Sequence, residues 1–255
     1  MAIEVWTTTC IVMNFGQTTA CNCTVLINPA NPQLSGVSKF PYFPRGGPVP
    51  KQQPGQFAHH IMGHVSQWGG MEVGEGMLFP VSVIDGLVHA HGGLHLQMAL
   101  QRHRGLSISS LLSNSSDNND NQNAPCPIGT AVRTTAGRDK LGQAYKAIIH
   151  TAPPFYRQHS FDNPQDDDDP ALLLHQCYTS ALNQLQPTDG RVATPILGAG
   201  CRGFPLDEAL SIGIASTRAW CEERSNQEGS DVTVAFALLE ETWAEKAIEL
   251  LEESE

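Results

Sequence analysis

Positive charge is scarce in this 255-residue chain: 15 Lys and Arg stand against 26 Asp and Glu, a formal net charge of −11. With no basic cluster to offset it locally, that balance opposes attraction to a nucleic-acid backbone, and no nucleic-acid partner is expected. A small anionic ligand stays open, because N–H groups at helix starts hold phosphate without Lys or Arg. Long apolar runs are missing as well. None reaches the roughly 18 residues of a membrane-crossing helix, so no membrane partner is expected either. An apolar signal segment is absent from the start of the chain, and the seven Cys are odd in number and irregularly spaced. Both features predict reduced thiols in an intracellular protein, cytoplasmic or nuclear, with the sequons at Asn22 and Asn114 unused. Neither G-x-S-x-G nor G-x-x-x-x-G-K occurs, which speaks against serine-hydrolase and P-loop chemistry. There is no internal repeat, and nothing sets the oligomeric state.

What is present suits a globular chain: 40% hydrophobic residues and 23 Gly, at a length that buries a core without disulfides. Ile3 to Val12 and Val25 to Ile27 read as strands on either side of a Gly16-containing turn. From 32 to 80 periodicity fails among Pro41, Pro44, Pro48, Pro50, Pro54 and Gly pairs, which predicts a loop-rich insertion; its Phe40, Tyr42, Phe43, Phe57 and Trp68 should pack on the body. Leu87, Val88, Leu94, Leu96 and Leu100 predict a helix interrupted near Gly92-Gly93, and the Ser/Asn/Asp tract within 105–125 predicts a flexible loop. Strands follow at Ala131 to Thr134 and Ala147 to His150. Asp166 to Asp169 lead into a helix starting near Pro170, then come a strand (Val192 to Leu197), a helix (Leu206 to Cys221), a strand (Val232 to Leu239) and a last helix (Thr242 to Leu251). Strands alternating with helices predict one α/β domain over 1–255, with a parallel sheet core and helices on both faces.

Three segments can carry chemistry. Gly198-Ala-Gly200-Cys-Arg-Gly203 lies between an apolar strand and a helix start, where glycines let the backbone turn tightly and approach a diphosphate. The spacing also satisfies the dinucleotide fingerprint, but Phe204-Pro205 interrupts the helix that should follow and the acid some 20 residues on falls at a helix end. A structural turn without ligand is the plain alternative. Asn28-Pro-Ala-Asn31 closes a strand, where Asn commonly serves its own turn. Asp85 and His89, four apart on a helix, share one face as an acid/base or orienting pair would, or as a capping Asp and a packed His would.

Taken together these segments resemble the macrodomain family, which binds ADP-ribose. Its G-D-I-T turn followed by N-A-A-N is similar to Gly16-Gln-Thr-Thr and Asn28-Pro-Ala-Asn31 at the same interval. V-D-G-x-I-H-x-x-x-G resembles Ile84 to Gly93. C-P-T-G-x-A and the strand I-H-T-V-G-P resemble Cys126 to Ala131 and Ile149 to Pro154. C-Y-x-x-x-L resembles Cys177 to Leu182, and P-x-I-S-T-G-x-x-G-F-P resembles Pro195 to Pro205. All five blocks occur in family order, within 5–31, 83–101, 126–154, 172–184 and 191–243.

The resemblance implies a three-layer α/β/α fold with a mixed central sheet. It also implies binding of ADP-ribose and hydrolysis of mono-ADP-ribose esters on proteins or of O-acetyl-ADP-ribose, as in the MacroD-like branch; the alternative is a non-catalytic ADP-ribose reader. The partners it implies are ADP-ribose or an ADP-ribosylated protein. Asn31 would contact the distal ribose, Asp85 would position or activate water, and His89 would support Asp85. Gln17, Asn28, Gly129, Gly198, Ala199, Gly200, Cys201, Arg202, Gly203 and Phe204 would bind the ligand, and no metal or cofactor is implied. Three departures stand out. Gln17 replaces the Asp that receives the adenine amino group, and Pro80-Val-Ser-Val83 replaces a run of glycines. Arg202 replaces an aromatic residue, where it would pair with a phosphate or face water. Trp243 lies near an adenine-flanking position, with core packing as the plainer role.

Two further patterns are weaker. His60/His64 and His91/His95 have the helical spacing of zinc ligands, yet no Cys or Glu completes either pair. The Asp117 to Asn123 run lacks the Gly and closing Glu of a calcium loop.

Overall fold

The computed structural model describes residues 1–8, 10–12, 22–34, 84–104, 124–156, 169–200, 202–224 and 231–253. Most of the 32–80 insertion and of the 105–125 loop lies outside the described residues. Among the described residues six strands form one sheet: β1 Ala2–Thr7, β2 Val25–Pro29, β3 Ala131–Thr135, β4 Ala147–Thr151, β5 Arg191–Thr194 and β6 Thr233–Leu238, in the order β1-β6-β5-β2-β4-β3. All neighbours are parallel except β3 and β4, which makes the sheet mixed with one antiparallel edge.

Five helices among the described residues cover it: α1 Ile84–His103, α2 Lys140–Ala144, α3 Pro170–Leu182, α4 Leu206–Arg224 and α5 Glu241–Glu252. The two-residue pleat sorts the strand side chains between two cores. Val25, Ile27, Ile149, Val192 and Val234 pack with α3, α4 and α5, whereas Leu26, Ile148, Ala193 and Ala235 pack with Val88, Leu96 and Leu100 of α1 and with α2. The result is three layers. Each fully buried Leu, Ile or Val contributes about 1.5–3 kcal/mol, so both faces of β2 hold it at the centre.

Local signals explain the boundaries. Asp169 caps α3, its carboxylate accepting from the Ala171 N–H at 3.0 Å, with Pro170 in the first turn. The break expected near Gly92-Gly93 is a kink at Gly93, with φ 57° and ψ −157°, inside an otherwise continuous α1. β5 stops at Thr194, earlier than the Leu197 expected, because Pro195 has no N–H to donate. β1 stops at Thr7, although Ile11 and Val12 beyond it are buried. α2 was not foreseen, since five residues are too few to display a period.

Candidate active site

The site forms where the chain leaves the carboxyl ends of β2, β4 and β5, three neighbouring strands, which is where loops of parallel sheets converge. β2 runs Val25, Leu26 and Ile27, all fully buried, into Asn28. Alternation places Asn28 on the face of Leu26, beneath α1. A buried amide must find partners, at a cost of about 1–3 kcal/mol otherwise. Asn28 donates from Nδ2 to Asp85 Oδ1 at 2.8 Å, and the same nitrogen lies 3.1 Å from Nδ1 of His150, its register partner on β4. The other ring nitrogen, Nε2, lies 2.9 Å from Thr134 Oγ1 on β3.

Burial, with the nearby His89 and His103 adding to it, pushes the His150 imidazole down to about 3, so the ring is neutral. A neutral ring that accepts the Asn28 amide at Nδ1 carries its proton on Nε2 and donates to Thr134, an assignment made from the bonding network.

Asp85 lies in the first turn of α1 with only 5% of its surface exposed. Burial pushes its carboxyl above the ordinary carboxylate range, against the opposing pull of His89, the Asn28 bond and Arg202. One turn further on, His89 Nε2 stands 3.5 Å from Asp85 Oδ1. The helical spacing therefore brings the pair together as expected. Among the described residues, Asn28 Oδ1 and His89 Nε2 are buried without a hydrogen-bond partner, two polar atoms with capacity beside the carboxylate. Asn31, three residues beyond Asn28, is also buried.

The turn after β5 approaches this group, since its Arg202 acts on the Asp85 carboxyl. Tyr178 of α3 accepts the Leu197 N–H at 2.8 Å, Gly203 N–H donates to Gly200 at 3.0 Å, and Phe204 N–H donates to Gly198 at 3.1 Å. Gly198 has φ 83°, and a Cβ there would meet Phe204 at 2.9 Å, so both conformation and contact require glycine. Gly200 differs: it is exposed, and a Cβ would meet no atom of the described residues within 4 Å. Ala199 is half-buried against the core. Gly129, with φ 82°, donates to Ala152 at 3.2 Å and joins the loop before β3 to the end of β4.

Arg202 is a finding of its own. The sequence left it pairing with a phosphate or facing water, but its side chain is buried, with Nη2 donating to the Ala30 carbonyl at 3.1 Å and Cζ 4.5 Å from the Phe155 ring centroid. It does not face water, because the aromatic ring and the carbonyl take up the guanidinium. The Tyr156 N–H donates to the Arg202 carbonyl at 2.9 Å, and the Tyr156 and Phe204 rings are 5.0 Å apart. These contacts bind the loops after β2, β4 and β5 to one another.

Gln17, Cys201, Pro80 to Val83, and His60/His64 lie outside the described residues. His95 faces Asp139 at 3.7 Å, and among the described residues no three His, Cys, Asp or Glu cluster as metal ligands would. Among the described residues no helix is long and apolar enough to cross a membrane. Trp243 packs partly against the core with Lys246 5.4 Å from its ring centroid, the plainer of its two roles.

A family model described as Macro domain matches residues 98–213. The chain is similar to an O-acetyl-ADP-ribose deacetylase from Citrobacter rodentium (strain ICC168), 32% identical over 109 residues, which are 42% of this chain and 55% of that protein. It is also similar to the non-structural polyprotein p200 of Rubella virus (strain M33), 36% identical over 102 residues, 40% of this chain and 4% of the polyprotein. Among solved structures, an Oceanobacillus iheyensis macrodomain with ADP superposes with a TM-score of 0.58 at 18% identity, over 98% of this chain and 90% of that one. The chain has the macrodomain fold, and its residues 98–213 match the macrodomain family model. The matches span about half of the deacetylase and a small part of the polyprotein, and the structural likeness speaks for the macrodomain fold.

Two contributors to the site carry little sequence signal. For His150 the signal is a polar residue ending the apolar run Ala147 to Ile149 on a buried strand. Thr134 carried no local signal, because its place beside His150 depends on the antiparallel register of β3 and β4.

Proposed function

We propose that this macrodomain binds ADP-ribose and hydrolyses mono-ADP-ribose esters, either on proteins or as O-acetyl-ADP-ribose. The observation that carries the reading is Asp85: a nearly buried carboxylate with raised proton affinity, held by Asn28, beside His89 and within the influence of Arg202. A carboxylate of raised proton affinity is a stronger base toward water. In this reading water's hydroxyl goes to the carbon of the cleaved ester bond and its proton to Asp85, while the departing oxygen leaves as a carboxylate, or takes that proton back from Asp85 to leave as a ribose hydroxyl. Asn31 orients the distal ribose and His89 supports Asp85. Asn28, Gly129, Gly198, Ala199, Gly200, Cys201, Arg202, Gly203 and Phe204 form the binding wall, and Gln17 accepts from adenine. Main-chain N–H donors suit a diphosphate in a protein of net negative charge. The named activity of the Citrobacter rodentium relative and the ADP in the Oceanobacillus iheyensis structure support the ligand class.

The test is release of ADP-ribose from an automodified protein, and of acetate from O-acetyl-ADP-ribose, by wild type and Asp85→Ala. Release by wild type and not by the variant supports the reading. The second reading, a non-catalytic reader, rests on Pro80-Val-Ser-Val83 in place of the glycine run. No release by wild type, with calorimetric binding of ADP-ribose, leaves the reader.

A further inference from the structure

A file of buried polar groups runs through the sheet to Asp85. Thr134 on β3, His150 on β4 and Asn28 on β2 all lie on the face covered by α1 and are all buried. Thr134 Oγ1 to His150 Nε2 is 2.9 Å, His150 Nδ1 to Asn28 Nδ2 is 3.1 Å, and Asn28 Nδ2 to Asp85 Oδ1 is 2.8 Å. The neighbouring side chains on that face, Leu26 and Ile148, are apolar and fully buried. An apolar residue at 150 would pack there without any polar group to satisfy, so the imidazole calls for an explanation beyond packing.

The amide supplies one. A carboxamide has two orientations of similar shape, and the flipped one would set Oδ1 against the Asp85 carboxylate. The group on its other side decides between them. His150 Nδ1 offers a lone pair and accepts only, provided that the ring proton stays on Nε2, where Thr134 receives it.

We propose that His150 is a positioning residue: with its tautomer set by Thr134, it locks the Asn28 amide so that Nδ2 holds Asp85 and Oδ1 is left as an acceptor for a ligand hydroxyl. That arrangement also accounts for Asn28 Oδ1 having no hydrogen-bond partner among the described residues. The effect on turnover rests on the hydrolase reading above, whereas the effect on Asp85 does not.

The experiment uses the whole chain. Nitrogen NMR of wild type reads the His150 tautomer, and carbon NMR follows the Asp85 carboxyl through a pH titration in wild type, His150→Leu and His150→Gln. Leucine removes the acceptor, while glutamine supplies an acceptor oxygen and a donor nitrogen in one neutral side chain. The expected results are a proton on Nε2 with a bare Nδ1, an Asp85 midpoint displaced upward in His150→Leu because its donor is no longer held, and a return toward wild type in His150→Gln. Turnover is expected to fall roughly tenfold to a hundredfold in His150→Leu, with a smaller loss of ADP-ribose affinity because Asn28 Oδ1 is no longer held, and both are expected to recover in His150→Gln.

A purely structural histidine would lower the melting temperature in both variants without separating their Asp85 midpoints, and that result overturns the proposal. So does a proton on Nδ1 in wild type, which decides the matter even if His150→Leu does not fold. Displaced Asp85 midpoints in a wild type that releases nothing would uphold the positioning and remove the hydrolase reading. Unmoved midpoints in an active enzyme would do the reverse.

Discussion

Arg202 Nη2 donates to the carbonyl of Ala30 at 3.1 Å, so a side chain from the turn after β5 ties down the chain between Asn28, near the end of β2, and Asn31 just beyond it. The bond joins residues far apart in sequence. A charged donor on a buried carbonyl contributes about 1.5–3 kcal/mol. Arg202→Ala is therefore expected to lower the unfolding free energy by that order and to weaken ADP-ribose binding by calorimetry. Arg202→Lys should restore only part of either, because an ammonium cannot both stack on Phe155 and reach the carbonyl. An unchanged unfolding midpoint in Arg202→Ala would contradict this account.

Asp85 should set opposite limits on stability and on rate. Its folded proton affinity is raised, chiefly by burial, above the ordinary value of about 3.9. The associated stability is fully present below the unfolded value and is lost as pH rises through the higher folded value. At neutral pH, unliganded Asp85→Asn should therefore be more stable than wild type, and the difference should shrink toward acid pH in denaturant titrations. In the proposed hydrolysis Asp85 acts ionised, so under that reading the rate should climb with pH through the same raised midpoint and be lost in Asp85→Asn. A rate that is flat across that range would argue against Asp85 as the base.

Gly200 separates binding from folding. A Cβ there meets no atom of the described residues within 4 Å, and its φ is not in the left-handed region. Gly200→Val should change stability by no more than about 0.5 kcal/mol while ADP-ribose binding, read by calorimetry, falls sharply. Retained affinity would place the ligand elsewhere.

Gly93 is the converse case. Its φ of 57° and a projected Cβ only 2.1 Å from Asp139 Oδ2 predict a loss of about 1–3 kcal/mol on Gly93→Ala in chemical denaturation. The kink divides Asp85 and His89 from Leu96 and Leu100, so straightening it would pull the carboxylate from Asn28 or the leucines from the core. The Asp85 midpoint should move upward in the same variant.

Much of this site was readable locally. Asp85 and His89 met because four residues make one helical turn, the break in α1 followed from Gly92-Gly93, and the cap at Asp169 from its place before Pro170. The contacts of Arg202 had no sequence signal, because nothing near it in sequence indicates Ala30 or Phe155. His150 received no role because its partners are Asn28 and Thr134, on strands far from it along the chain or reached only through register.

By itself the sequence determined the order of strands and helices, the strand-end asparagines and the glycine-lined turn, because periodicity, proline and glycine act within a few residues of themselves. Tertiary structure alone decided that β3 runs antiparallel, that β2 lies between β4 and β5, and that Thr134, His150, Asn28 and Asp85 form one file. The physical reason is register: slipping one of the three strands by one residue would turn its polar group, Thr134, His150 or Asn28, to the other face and break the file, and only the packing of both layers at once selects the pairing.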